Sequence, residues 1–87
     1  MKITRRALPK NAENQYTPGY EILRDGQVIA TAYCTGRPGV DNYPWNWSLA
    51  DGVAPRTILI GGRHRSKESG RADTLRSAID QVEQWVA

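Results

Sequence analysis

The sequence predicts an α+β domain, a three- to four-stranded antiparallel sheet with one C-terminal helix packed on one face. Three observations carry this. An Asp-Gly pair, Asp25-Gly26, stands between two apolar runs. Trp45-Asn46-Trp47-Ser48-Leu49 alternates apolar and polar residues. Leu75, Ala78, Ile79, Val82 and Val86 recur at helical spacing near the C-terminus.

Residues 1–19 read as a basic, flexible arm. They hold Lys2, Arg5, Arg6, Lys10, Pro9 and Pro18, and a polar run from Asn11 to Gln15. No helical or strand period is sustained there; a short strand at Lys2 to Arg6 is the alternative. Residues 20–87 read as one β-β-β(-β)-α domain. Tyr20 to Leu23 and Val28 to Thr35 form a hairpin, because a tight type I′ turn needs positive φ at both central residues, which Asp-Gly tolerates. With Asp25-Gly26 as the loop, Leu23 faces Val28 and Ile22 faces Ile29. Leu23, Val28, Ala30, Ala32 and Cys34 then form a small, smooth face for a helix. Tyr20, Ile22, Ile29, Thr31 and Tyr33 form the other.

Gly36 to Pro44 is a loop by its glycines and prolines. The alternation in Trp45 to Leu49 marks a strand with one buried face. Ala50 to Pro55 is a turn, and the β-branched Thr57 to Ile60 is a fourth strand. Gly61 to Arg71 reads as a mobile basic loop. Thr74 caps the final helix, with Ser77 three residues on and Asp73 near its positive end. Arg76, Asp80, Gln81 and Glu83 make the wet helix face.

At 87 residues the chain makes one domain with a modest core and marginal stability. Its three tryptophans and four tyrosines must carry much of the burial. The net charge of +3 permits nucleic-acid contact without requiring it. Cys34 is alone, so no intrachain disulfide forms, which suits a reducing compartment. No apolar run approaches the roughly 20 residues of a membrane span, and the N-terminus lacks the apolar stretch of a signal peptide. A cytoplasmic protein without membrane contact is expected.

No catalytic or metal site is expected, and no cofactor. His64, the one histidine, sits among cations, and Cys34 falls within a strand facing the helix. A nucleophilic pair would need that thiol exposed and acidified; a small buried core thiol is the plainer reading. One cysteine and one histidine thirty residues apart fit no zinc spacing. Gly61-Gly62 and Ser66-Lys67 do not form a phosphate loop, because Glu68 follows the lysine where a serine or threonine is required.

Binding is the expected mode of action, and two surfaces suggest themselves. If one helix covers one sheet face, Tyr20, Ile22, Thr31 and Tyr33 lie on the open one, for a host protein or for homodimerisation. Arg63, His64, Arg65, Lys67 and Arg71, with Arg5 and Arg6 of the arm, form a basic set for DNA, RNA or an acidic partner. The plainer reading of that set is a solvated loop that keeps a small domain soluble.

The run Tyr20 to Tyr33, Pro44-Trp45-Asn46-Trp47-Ser48-Leu49, and Gly70 to Ala78 with its Thr74-Leu75 opening resemble a broad group of small uncharacterised bacterial and prophage proteins. The resemblance covers residues 20–87 and implies a fold and a mobile-element setting, with no activity attached; Arg76-Ser77 stands where the group often has acidic residues. The β-β-β-α order is also similar, in topology alone, to the arm domains of tyrosine integrases and to the double-stranded RNA-binding domain. The latter's first helix has no counterpart in residues 1–19. A compact phage-type chain of this size looks like inhibitors of host nucleoprotein defence complexes, anti-CRISPR proteins among them. Setting and size, and no motif, thus make occlusion of a nucleoprotein surface or channel the expected function, with direct nucleic-acid binding as the alternative.

Overall fold

The computed structural model describes residues 2–8, 18–37 and 40–87. Seven strands precede one helix: β1 (Ile3–Ala7), β2 (Gly19–Arg24), β3 (Gln27–Cys34), β4 (Trp45–Leu49), β5 (Ile58–Ile60), β6 (Arg63–Arg65), β7 (Ser69–Ala72) and α1 (Leu75–Trp85). Five strands make one antiparallel sheet in the order β1-β2-β3-β4-β7, and β5 and β6 pair separately. The expected α+β class holds, with more strands than the sequence announces.

The central hairpin forms as its turn chemistry dictates. Asp25 and Gly26 both take positive φ, 52° and 85°, the type I′ geometry whose twist matches the flanking strands. The Asp25 carboxylate also accepts from the Lys2 backbone N–H at 3.0 Å, tying the turn to the start of β1.

The register past this turn departs from a simple hairpin. Leu23 pairs with Val28 as expected, but a β-bulge follows, and Ile22 pairs with Ala30 and Tyr20 with Ala32. The extra residue, Ile29, enters the core beside Ala30. A single inserted residue reverses which side chains share a face. Tyr20 and Ile22 therefore lie on the helix side with Ala30 and Ala32, while Leu23, Val28, Thr31 and Tyr33 lie on the other.

The helix packs on β3, β4 and β7. Ala30, Ala32 and Ala72 from the sheet meet Ala78, Val82 and Trp85 from α1, with Trp47 at the centre. The alanines bring helix and sheet close, and the rings of Trp47 and Trp85 fill the space that remains. Trp47 lies over Gly70, its cross-strand partner on β7, where a Cβ would stand 2.8 Å from the ring. Its indole N–H donates to Gln81 Oε1 at 2.8 Å, and Gln81 Nε2 donates to the Arg71 carbonyl at 3.0 Å. One glutamine thus satisfies the buried indole and fastens α1 to the edge strand β7. Thr74 caps the helix as the sequence predicts, its side-chain oxygen accepting from the Ser77 N–H at 3.1 Å.

Three expectations need correction. The arm is not featureless: Ile3–Ala7 is an edge strand paired with β2. The rest of that expectation, including Lys10 and the polar run Asn11 to Gln15, lies outside the described residues. The fourth strand exists as Ile58–Ile60 but pairs with β6, not with the main sheet. The Gly61 to Arg71 loop contains a whole strand, β6, and most of β7. The strands β1, β6 and β7 are short and carry arginines, and little of them is buried, so no apolar period marks them.

Candidate binding surfaces

The chain from Ala50 to Glu68 is an excursion between two strands that neighbour each other in the main sheet. Its base is closed by the Leu49 N–H donating to the Glu68 carbonyl at 2.8 Å. It is also tied to the C-terminal end of α1. Pro55 bridges Val86, the Arg56 N–H donates to the Trp85 carbonyl at 2.6 Å, and the Ala87 N–H donates to the Ala54 carbonyl at 3.1 Å. Lys67 Nζ lies 5.6 Å from the centroid of the buried Trp85 ring. From this base β5 and β6 form a two-stranded ribbon.

The ribbon turns on Gly61 and Gly62, with φ of 58° and 80°, the backbone that only glycine adopts without strain. Ile58 pairs with Arg65, Leu59 with His64, and Ile60 with Arg63. One ribbon face thus carries Leu59 and His64, and the other Ile58, Ile60, Arg63 and Arg65. Every residue from Leu59 to Ser69 is exposed, Leu59 by 63%. Between Gly52 and Lys67 the sequence holds Arg56, Arg63, Arg65 and Lys67 and no carboxylate. Among the described residues the one ion pair lies elsewhere, Arg6 to Glu21 at 2.7 Å.

The expected apolar sheet face is not there. Ile22 is fully buried in the core on the helix side of the sheet, and Tyr20 stands on that same side, under Arg5 (5.7 Å to its ring) and 6.1 Å from the Trp45 ring. Thr31 and Tyr33 stand on the opposite face, so the four residues do not form one surface. That open face carries the buried Leu23 and half-buried Val28 among hydroxylic and charged groups. Thr31 Oγ1 and Ser48 Oγ lie 3.5 Å apart, Arg6 donates to Glu21, and Tyr33 covers Gly19. The bulge at Ile22/Leu23 is the physical reason for the difference.

The basic set is likewise divided. Arg63, His64 and Arg65 share the ribbon and Lys67 sits at its base, but Arg71 belongs to β7 of the main sheet. Arg5 and Arg6 lie on β1, the opposite edge from β7, and point to opposite faces of it. Cys34 and His64 occupy different sheets: the thiol is buried at the end of β3 and donates to the Gly36 carbonyl at 3.6 Å, while the imidazole is exposed.

Two features escape the sequence reading. Gly61-Gly62 between a β-branched run and a basic run is itself a hairpin signal, and it locates the ribbon. Arg76, assigned to the wet helix face, instead borders an open groove of about 400 Å³ with Ile79 and with Ile3, Thr4 and Arg5 of β1. No linear pattern pairs Arg5 with Arg76; only the fold does. Among the described residues no helix is long and apolar enough to cross a membrane, and no group of three or more His, Cys, Asp or Glu side chains is placed to hold a metal ion. No family model matches the chain, and neither a curated protein nor a solved structure matches it.

Proposed function

We propose that this protein is a non-catalytic binding module that engages nucleic acid through the β5–β6 ribbon. The observation that carries the proposal is an exposed, acid-free basic ribbon built out from the sheet on a fixed base. Arginine and lysine on such an element supply phosphate contacts that position a protein without reading sequence. The dimensions suit a duplex. Two strands are about 4.8 Å apart and three residues span roughly 10 Å, and the major groove of B-form DNA, about 12 Å wide, admits a two-stranded ribbon. The deep, narrow major groove of A-form RNA does not.

Fluorescence anisotropy with a labelled DNA duplex across a salt series tests this. Contact through Arg63, Arg65 and Lys67 predicts a log–log salt slope of about −3, and replacing all three by alanine should remove most of it. A duplex that shows no complex at low salt, or a slope unchanged in the triple variant, refutes the assignment.

A second reading uses the same ribbon against a nucleoprotein complex, in the manner of a phage-borne, anti-CRISPR-like inhibitor of host defence. Leu59 and Ile60 favour it, because exposed aliphatic side chains beside arginines suit a protein surface better than phosphate. Leu59→Ser with Ile60→Ser separates the two readings. Loss of a protein partner with DNA affinity intact favours the second.

A further inference from the structure

We propose that β1 is a docking edge for an extended, acid-bearing segment of a protein partner, which adds to the main sheet as a sixth strand. The site is separate from the ribbon and does not depend on what the ribbon binds.

The backbone geometry comes first. β1 is the outer strand of the sheet, with no second neighbour among the described residues. The Leu8 N–H donates to the Gly19 carbonyl and the Asp25 N–H to the Lys2 carbonyl, both at 2.9 Å. In an antiparallel ladder inward and outward backbone groups alternate. Residues 2, 4, 6 and 8 therefore turn theirs toward β2, and Ile3, Arg5 and Ala7 turn theirs outward.

Those same three residues send their side chains to the helix side, since Arg5 pairs with buried Ile22 and Ala7 with Tyr20. The helix packs over β3, β4 and β7, leaving the β1 end of this face uncovered. There lies the groove of about 400 Å³ between Ile3 and Arg5 on one wall and Arg76 and Ile79 on the other. Ile3 and Ile79 are half-buried against the core, so the floor is apolar. Neither Arg5 nor Arg76 has a carboxylate partner among the described residues, in contrast to Arg6 on the other face.

Backbone groups and side chains thus call for one occupant. An antiparallel strand hydrogen-bonded to Ile3, Arg5 and Ala7 sends its own bonded residues to the groove side. The residue opposite Arg5 is acidic and reaches Arg76 as well. Its neighbours two positions away are aliphatic and cover Ile3 and Ala7. A second copy of the chain fits badly, because two-fold pairing centred on Arg5 sets that arginine against itself, and like charges directly opposite are destabilising.

The test uses the full chain, isotope-labelled for NMR, and a capped peptide, Thr-Val-Thr-Glu-Thr-Val-Thr. Amide shifts and slowed hydrogen exchange should centre on Ile3, Arg5 and Ala7. N-methylation of the valines and glutamate should abolish binding, whereas N-methylation of the threonines should leave it. Replacing the peptide's glutamate by lysine should weaken binding at least tenfold, and Arg5→Glu with Arg76→Glu should reverse that preference. The proposal is overturned if β1 amides do not respond, if shifts are confined to residues 58–65, or if the lysine peptide binds as well. It also fails if the N-methylation pattern is absent or reversed, or if the free protein is a dimer with these amides already protected.

Discussion

The most decisive test of the core is the smallest change, Gly70→Ala. Gly70 opposes Trp47, and a Cβ built there lies 2.8 Å from the ring atoms Cε2, Cζ2 and Nε1. Trp47 is 2% exposed, and its indole is held by Gln81 at 2.8 Å, so the ring cannot tilt away without losing that bond. Alanine for glycine in a strand gains about 0.5–1 kcal/mol from the unfolded chain. Overpacking a close-packed site costs about 1–3 kcal/mol, and a broken hydrogen bond about 1 more. The net loss is about 1–3 kcal/mol, a fall in Tm of roughly 5–15 °C for a domain of this size. Gly19→Ala is the control. Its Cβ would come within 2.6 Å of Tyr33, an equally severe overlap, but Tyr33 is half-buried on the open face and can swing into solvent. Thermal and urea unfolding followed by circular dichroism should show a near-neutral Gly19→Ala and a damaged Gly70→Ala. In a Trp47→Leu background, Gly70→Ala should become neutral or stabilising. Wild-type stability for Gly70→Ala, or equal damage from the two alanines, would refute the argument that a pinned ring sets the cost.

Gly26→Val should destabilise by about 1–2 kcal/mol, because a β-branched residue must then adopt the φ of 85°; unchanged urea midpoints would count against the type I′ turn. Thr74→Ala should cost about 1 kcal/mol through the lost cap to Ser77, and Thr74→Ser should restore most of it. Cys34, buried beside Gly36, should react with a thiol reagent slowly in the native protein and rapidly in denaturant; equal rates would place it at the surface. Replacing Arg63, Arg65 and Lys67 by alanine should lower stability by less than about 1 kcal/mol, since the one packed member is Lys67 over Trp85. A larger loss would make the ribbon a structural element first.

What the sequence made legible is what burial imprints. The Trp45 to Leu49 strand shows its alternation because the helix covers one side of it, and α1 shows its period for the same reason. The turn at Asp25-Gly26 is legible from backbone chemistry alone. β6 and β7 are not, because Arg63, His64, Arg65 and Arg71 point to solvent and nothing imposes a pattern on them. The bulge is invisible for a different reason. Tyr20-Glu21-Ile22-Leu23 and Val28-Ile29-Ala30 hold apolar residues in both parities, so two registers satisfy the same string, and only packing beneath the helix selects the one that buries Ile22 and Ile29 together. The cations of the candidate site were legible as residue types. Their division between ribbon, β7 and β1 was not, because it depends on which strands pair.

The position of charge now separates two roles that arginine plays in sheets. Of the three inner strands, β3 and β4 carry no charged residue and β2 carries Glu21 and Arg24, whereas β1 and β7 at the edges carry Arg5, Arg6 and Arg71. Charged edges are a general defence against unwanted strand pairing, and that defence alone accounts for Arg6 and Arg71. It asks only for charge at an edge. It does not require an apolar-floored groove beside that edge, nor a second arginine brought to the groove's far wall by a helix, nor outward backbone groups on the very residues whose side chains line it. Arg5 and Arg76 meet all three conditions, and Arg6 meets none because Glu21 already holds it. The same distinction applies to the ribbon. Solubility is served by cations anywhere on the surface, yet here they are raised on a strand whose base is locked to Trp85 and whose neighbouring strand exposes Leu59 and Ile60. Exposing aliphatic side chains works against solubility, so solvation alone does not account for the ribbon's composition, whereas the proposed contact with a partner does.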